Sequence, residues 1–371
     1  MKPVLLFSGT NDRAVFAFCR YAERKGISLA IVANGADDLV FLSDYKNKVI
    51  GTREKNVLNW SVFSTYIDLV KDLFSCDTLF ILPLTEYINR FLLENEVLFV
   101  RENVSFGLCG LELYSKISDK YDFGTLCQHY NITVPKEYVQ KPSDYPYVIK
   151  PKAYFDGLHE ANWKPALIYN EEQERTFLSS VDAKELYYQA YIGGRSIYLL
   201  FYFYQDESYS VYSQENFMQQ HDGGSMVFSR SSEFHLKTDL VSPYVDLFLQ
   251  EGFRGLVMVE VKLFNGCYYM IEANPRLWGP SQLILDAQMS LFDDFCMDNG
   301  LVDAPMFCSG DYLKNTPYFW SGGMVATQKR DASLLFYNYT TDDFLAQYGE
   351  VMSNEVYLRP DTLQIYLKEH L

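Results

Sequence analysis

A chain of 371 residues is too long for one ordinary domain and suits two or three packed units. With 48% hydrophobic and 22% charged residues it reads as globular rather than disordered. A net charge of −16 excludes a nucleic-acid binder that grips phosphates over a broad face. Any nucleotide must therefore be held by local, specific cations. No stretch approaches the roughly 18 apolar residues that a membrane span needs, so no membrane partner is expected. Seven scattered cysteines, never spaced as CxxC, read as reduced thiols of a cytoplasmic protein, and five histidines without HExxH spacing give no zinc site.

Residues 4–7 are a short apolar run that reads as a first buried strand rather than a signal-peptide core. A helical pattern follows at 13–25, a strand at 29–33, a helix at 60–74, a strand at 78–82 and a helix at 87–94. This alternation predicts a Rossmann-like parallel sheet with helices on both faces over residues 1–113. The first turn, Ser8-Gly9-Thr10-Asn11-Asp12, lacks the GxGxxG that lets a backbone approach a pyrophosphate, so dinucleotide binding is not expected there. Thr85-Glu86 lies just past a strand end, where open α/β sheets bind ligands, and makes Glu86 a candidate substrate contact.

Residues 112–129 read as one helix with Lys116 and Lys120 four apart on one face. Tyr147-Val148-Ile149-Lys150-Pro151-Lys152 reads as a strand whose two lysines share a face. A helix is expected at 171–180 and strands at 186–192 and 196–204, broken by Gly193-Gly194. Residues 219–225, Gln219-Gln220-His221-Asp222-Gly223-Gly224-Ser225, form a polar, Gly-containing loop.

The most informative segment is 255–281. Two β-prone runs, 256–263 and 267–273, flank Phe264-Asn265-Gly266, which is a hairpin signal. A two-residue Asn-Gly turn would throw Glu260 and Glu272 onto opposite faces. A three-residue turn with a bulge at Gly266 sets Leu263 opposite Cys267 and Glu260 opposite Met270, with Glu272 one diagonal step away on the same face. The second register is the one expected here. Glu272, Asn274 and Arg276 then recur at period two. Two carboxylates and an amide oxygen are hard ligands of the kind Mg²⁺ takes, and a metal relieves the repulsion between facing acids. Arg276 is suited to clamp a phosphate or a developing oxyanion.

Glu260, Glu272, Asn274-Pro275-Arg276 and Trp278-Gly279 together resemble the metal-binding signature of the ATP-grasp superfamily, in its carbamoyl-phosphate synthetase, biotin carboxylase and amino-acid ligase branch. The resemblance runs in order along most of the chain. Ser118-Asp119-Lys120 resembles the family's DK helix and implies that Lys120 contacts phosphate; Tyr147 to Lys152 resembles its VKP strand, with Lys150 as a second phosphate-binding lysine. The segment from Tyr188 to Gly194 resembles the strand linking the lobes, whose backbone at Gln189, Ala190, Tyr191 and Ile192 would bind adenine. The loop 219–225 falls where the resemblance implies an acceptor pocket, which makes His221 and Ser225 candidate substrate contacts. Two departures stand out: residues 153–159 are bulky where the family's phosphate-covering loop is small, and Arg195, a further candidate substrate contact, stands where an acid is common.

The fold implied is α/β and α+β: a pre-ATP-grasp domain at 1–113, a small antiparallel lid lobe at 114–192, and a central and C-terminal part at 193–371 carrying the metal and substrate site. The activity implied is that of an ATP-dependent carboxylate–amine ligase using Mg²⁺ or Mn²⁺, with Glu260, Glu272 and Asn274 on the metal and Arg276 and Glu272 catalytic. Its partners would be small-molecule acids and amines, and a homodimer is the family-level expectation. A bicarbonate-activating relative is a further reading, although no Ala-Met-Lys-Met biotin motif is present. The other alternative is an ATP-grasp module that binds nucleotide with reduced turnover or none.

Overall fold

The computed structural model describes residues 2–55, 57–152, 165–181 and 186–371. Five parallel strands, β1 (Val4–Phe7), β2 (Leu29–Asn34), β3 (Val49–Arg53), β4 (Leu79–Ile81) and β5 (Val104–Ser105), form the N-terminal sheet in the order β3-β2-β1-β4-β5. The order reverses between β1 and β4, and Asn11 fills the crevice there. Its left-handed backbone (φ 56°) aims the side-chain amide at Leu84 O (3.1 Å) and Leu277 O (3.0 Å), which ties this domain to the rest of the chain.

Four antiparallel strands, β6 (Glu137–Tyr138), β7 (Tyr147–Pro151), β8 (Ala166–Ile168) and β9 (Leu186–Ala190), make a small lobe in the order β6-β9-β7-β8. The large sheet takes β10 (Arg195–Phe203), β11 (Tyr209–Gln219), β12 (Met226–Ser232), β13 (Gly255–Phe264), β14 (Cys267–Asn274) and β15 (Pro317–Phe319). Its order is β14-β13-β10-β11-β12-β15, with β16 (Leu335–Phe336) paired to the end of β11. A parallel Rossmann-like sheet followed by two antiparallel lobes is the expected fold class.

The large sheet is covered on both faces, which is why its central strands read as unbroken apolar runs. Leu200, Tyr202, Leu256 and Met258 face the helices Asp12–Lys25 and Leu291–Asp298. Leu199, Phe201, Val257 and Val259 face the helices Leu111–Ser118, Lys120–His129 and Ser242–Gln250. Both clusters continue into the N-terminal sheet, through Val4 and Leu6 on one side and Leu5 and Phe7 on the other. The small lobe has its own core of Tyr147, Ile149, Ile168 and Leu186.

One expected element is corrected. Residues 112–129 are two helices, not one, because Asp119 is extended (φ −76°, ψ 120°). Arg90 fixes that break, reaching Ser115 Oγ (3.1 Å), Ser118 Oγ (2.8 Å) and Asp119 Oδ1 (3.4 Å). Lys116 and Lys120 accordingly part company: Lys116 pairs with Glu251 at 2.9 Å, whereas Lys120 turns toward β14.

The C-terminal helix Leu363–His370 packs on the helix Ser321–Gln328, and its Glu369 accepts from Trp320 Nε1 at 3.1 and 3.2 Å. Burial, opposed by that bond and reinforced by the Glu355 charge, pushes the Glu369 carboxyl from 4.5 up to about 7. Between those values the folded chain holds a proton that the unfolded chain releases, so this group makes stability fall as pH rises from about 4.5 to 7. Glu369→Gln keeps the acceptor and removes the charge. The variant should melt higher than the wild type at pH 8 and lose that part of the pH dependence; a lower melting temperature at pH 8 contradicts this.

Candidate functional site

The site is built on the β13–β14 hairpin. Asn265 (φ 50°) and Gly266 (φ 78°) are both left-handed and close a two-residue turn that pairs Phe264 with Cys267. The expected three-residue turn, with Leu263 opposite Cys267 and Glu260 opposite Met270, is therefore not the one formed. A primed Asn-Gly turn matches the twist of the strands better. Its register, left alone, would separate the two acids. It runs only as far as Val261 opposite Met270. There Ile271 bulges out of the ladder, and Glu260 pairs directly with Glu272, Val259 with Ala273 and Met258 with Asn274. The acids share a face through a bulge in mid-strand, not at the turn.

Each acid is held differently. Glu260 is 6% exposed, and its Oε1 accepts from Ser196 Oγ (3.0 Å) on β10. Glu272 accepts from Asn274 Nδ2 on Oε1 (2.9 Å) and from Lys120 Nζ on Oε2. Arg276 donates to Asn274 Oδ1 (3.0 Å) and Leu277 O (3.1 Å), while its buried Nε has no partner among the described residues. Arg276, Asn274, Glu272 and Lys120 thus form one continuous polar string.

Lys150 enters from β7 of the small lobe, 5% exposed, and donates to the carbonyl of the bulged Ile271 at 3.4 Å. Burial, and then the ammonium of Lys120, lowers the Lys150 pKa to about 7. Burial lowers that of Lys120 to about 8, with the Glu260 carboxylate opposing the shift. A further cation was hidden in the apolar run of β13. Lys262, two residues beyond Glu260 on the same face, is buried with Nζ 4.2 Å from the centre of the Tyr337 ring. The Tyr337 hydroxyl donates to Gln219 Oε1 at the end of β11. Glu260 and Lys262 at period two in an otherwise apolar strand were the available signal.

The remaining candidates scatter. Gln189 and Ala190 end β9, where Ala190 N donates to Lys136 O (2.8 Å); Tyr191 and Ile192 follow on the connection to β10. His221 lies in the turn His221–Gly223, which touches β8 of the small lobe, and Ser225 N donates to Gln220 Oε1 at 3.3 Å. Arg195 is not brought to the acids. Side chains alternate along β10, so it faces away from the Ser196 side, 3.6 Å from Glu215. Glu86 stands behind the site with both oxygens engaged, by Arg90 Nε (2.8 Å) and the Tyr114 hydroxyl (2.9 Å). Residues 153–159, the atypical loop, lie outside the described residues.

No protein-family model and no curated protein matches the sequence. Solved structures do match in fold. A biotin carboxylase from Campylobacter jejuni, in a β,γ-ATP complex, superposes with a TM-score of 0.59 at 14% identity, over 85% of this chain and 74% of that one. An L-amino acid ligase from Bacillus licheniformis gives 0.59 at 14% identity, over 83% and 75%. Pyruvate carboxylase from Rhizobium etli gives 0.56 at 15% over 78% of this chain, which spans only 28% of that much longer one. Together with the three sheets and their order, these likenesses show the fold: a Rossmann-like parallel sheet followed by the two antiparallel lobes of an ATP-grasp architecture.

Lys150 supplies a test of the site without any ligand. Its folded pKa of about 7 lies below the usual 10.5, so between those values the unfolded chain carries a proton that the folded chain lacks. Its contribution therefore makes stability climb as pH rises from about 7 toward 10.5. Lys150→Met should be more stable than the wild type to urea at pH 7 and should lack that rise. Parallel stability curves for the two proteins from pH 7 to 10 would contradict the placement.

Proposed function

We propose that this chain is a Mg-ATP-dependent ligase that phosphorylates a substrate carboxylate and passes the acyl group to an amine. The observation that carries this reading is the direct pairing of Glu260 with Glu272, with Lys120 and Lys150 converging on the same hairpin from two separate elements. Among the described residues no group of three or more His, Cys, Asp or Glu is placed to hold a metal ion, and the donor set proposed here is the paired carboxylates. That set suits Mg²⁺, which keeps several waters and takes its other ligands from substrate phosphates; Mn²⁺ accepts the same donors. Glu260 and Glu272 would hold the ion. Asn274 Oδ1 keeps a lone pair beyond the one Arg276 uses. A bound ion would neutralise phosphate charge.

On a chain of net charge −16, a polyphosphate needs local cations, and Lys120, Lys150 and Arg276 would supply them. The adenine would lie against the backbone of Gln189, Ala190, Tyr191 and Ile192, where the chain passes from one lobe to the other. A carboxylate oxygen of the substrate attacks the γ-phosphorus, the bond to the β-phosphate oxygen breaks, and ADP leaves. The amine then attacks the acyl carbon. A C–N bond forms, the C–O bond to phosphate breaks, and the proton leaves with solvent. Arg276 would meet the oxyanion charge in either step. The acyl phosphate must be kept from water, a task for the small lobe above the hairpin. His221 and Ser225 would line the acceptor end, while Glu86 and Arg195 serve as supports.

A second reading, nucleotide binding without turnover, is favoured by one contact: Lys120 and Glu272 are already ion-paired, so a phosphate-binding cation and a metal-binding acid satisfy each other. All seven cysteines are free, two of them exposed, which supports a reducing compartment such as the cytoplasm.

A screen of acid and amine pairs for ADP and phosphate release separates the two readings. Turnover is expected with at least one pair and only with Mg²⁺ or Mn²⁺. Glu272→Gln should abolish it, and Arg276→Ala should lower it by about 10²–10³-fold, the usual loss for one preorganised donor. Nucleotide binding with no ADP from any pair favours the second reading, and undiminished turnover in Glu272→Gln defeats the site assignment.

A further inference from the structure

A string of buried amides and hydroxyls runs across the face of the large sheet and stops on Glu260. Trp278 Nε1 donates to Gln214 Oε1 (3.3 Å), and Gln214 Nε2 to Asn216 Oδ1 (2.8 Å). Asn216 Nδ2 then donates to Ser196 Oγ (2.9 Å), and Ser196 Oγ to Glu260 Oε1 (3.0 Å). Exposure is 2% for Trp278, zero for Gln214, Asn216 and Ser196, and 6% for Glu260. Tyr198, Leu200 and Tyr212 lie beside the string on this face, and the buried Ser231 and Ser229 of β12 sit opposite Gln214 and Asn216. Apolar side chains of similar size would fill that space at lower desolvation cost.

The two ends fix the direction of the string. An indole N–H can only donate, so Gln214 must present its oxygen to Trp278 and its amide nitrogen to Asn216. Asn216 must then present its oxygen to Gln214 and its nitrogen to Ser196. Ser196 Oγ, having accepted, spends its one proton on Glu260, and an ionised carboxylate can only accept. All four links pair a donor with an acceptor in this sense, and turning one amide over would set donor against donor. Glu260 is thereby held as an acceptor through Oε1.

We propose that Ser196, Asn216 and Gln214 are positioning residues that form, with Trp278, a one-way hydrogen-bond chain fixing the Glu260 carboxylate for a divalent cation. All three are fully buried, and they act through Glu260. The proposal rests on the reading of Glu260 as a metal ligand and adds to it the part that sets the ligand's orientation. It also gives Trp278 a role, as the donor that starts the chain.

The experiment is Mn²⁺ binding in the presence of ADP, followed by the electron paramagnetic resonance signal of free Mn²⁺, for the wild type, Ser196→Ala and Gln214→Glu. Ser196→Ala removes the last donor. Gln214→Glu keeps the bond from Trp278 but cannot donate onward, so Asn216 turns over and draws the Ser196 proton away from Glu260. Both variants should bind Mn²⁺ roughly 10–100-fold more weakly, the range for residues that orient a metal ligand, while metal-free ADP affinity stays within about twofold. Gln214→Glu is the decisive case because its side chain does not reach Glu260. Trp278→Phe, which removes the forcing donor, takes its place if that variant does not fold. Mn²⁺ affinity at the wild-type level in either variant overturns the chain, as does an equal loss of metal-free ADP binding, which marks a general structural role. A wild type that binds ADP but no Mn²⁺ overturns the metal reading itself, so the two failures are distinct.

Discussion

Two carboxylates set opposite each other in a buried sheet repel, and a fold that builds such a pair must also supply positive charge. Opposed residues of an antiparallel ladder lie about 4.5–5.5 Å apart at Cα, close enough for both acids to face one ion or share one proton. Here a single extra residue, Ile271, creates the pairing of Glu260 with Glu272. The same bulge points its carbonyl at Lys150, so the irregularity that joins the acids also gives the small lobe a contact with the large sheet.

The surrounding structure holds that arrangement at a distance. The large sheet is packed on both faces, and both cores extend into the N-terminal sheet, so the hairpin stands on a continuous body. Glu86 and Arg90 pin the break at Asp119, which starts a new helix at Lys120 and turns its ammonium toward Glu272 instead of along the face it would share with Lys116. Arg276 and Asn274 orient Glu272 from one side, and Ser196 orients Glu260 from the other. Each acid thus has its own fixed donors, and the two are held by separate parts of the sheet.

Much of this fold is legible in the residues. Alternating apolar runs and helical periods marked the parallel sheet, and the β-rich stretch at 255–273 marked the hairpin. The acids were legible as a pair, but the way they come together was not. Asn265-Gly266 carries a strong local preference for a two-residue turn, and that turn by itself sets the acids on opposite faces. The chain keeps the local preference and repairs the register six residues from Asn265, at a position where Ile271 looks like any other strand residue. A mid-strand bulge has no compositional mark unless it falls on glycine, so it stayed hidden. The face that Arg195 shows and the presence of Lys262 beside the acids stayed hidden for a related reason. Which face a strand residue shows depends on one parity, and that parity follows from partners distant in sequence. Ser196, Gln214 and Asn216 read as ordinary polar residues of strands, because nothing local reveals that they line up across three neighbours.

The central claim is that Glu260 and Glu272 together seat a divalent cation. A crystal of the protein grown with Mn²⁺ and ADP, with data collected at the manganese absorption edge, tests this most directly. The account predicts an anomalous peak between the two side chains, with a carboxylate oxygen of each about 2.0–2.3 Å from it, the range for hard ligands on such an ion. ADP bound in the cleft with no peak at that position, or a peak coordinated by other residues while Glu260 and Glu272 point apart, would contradict it.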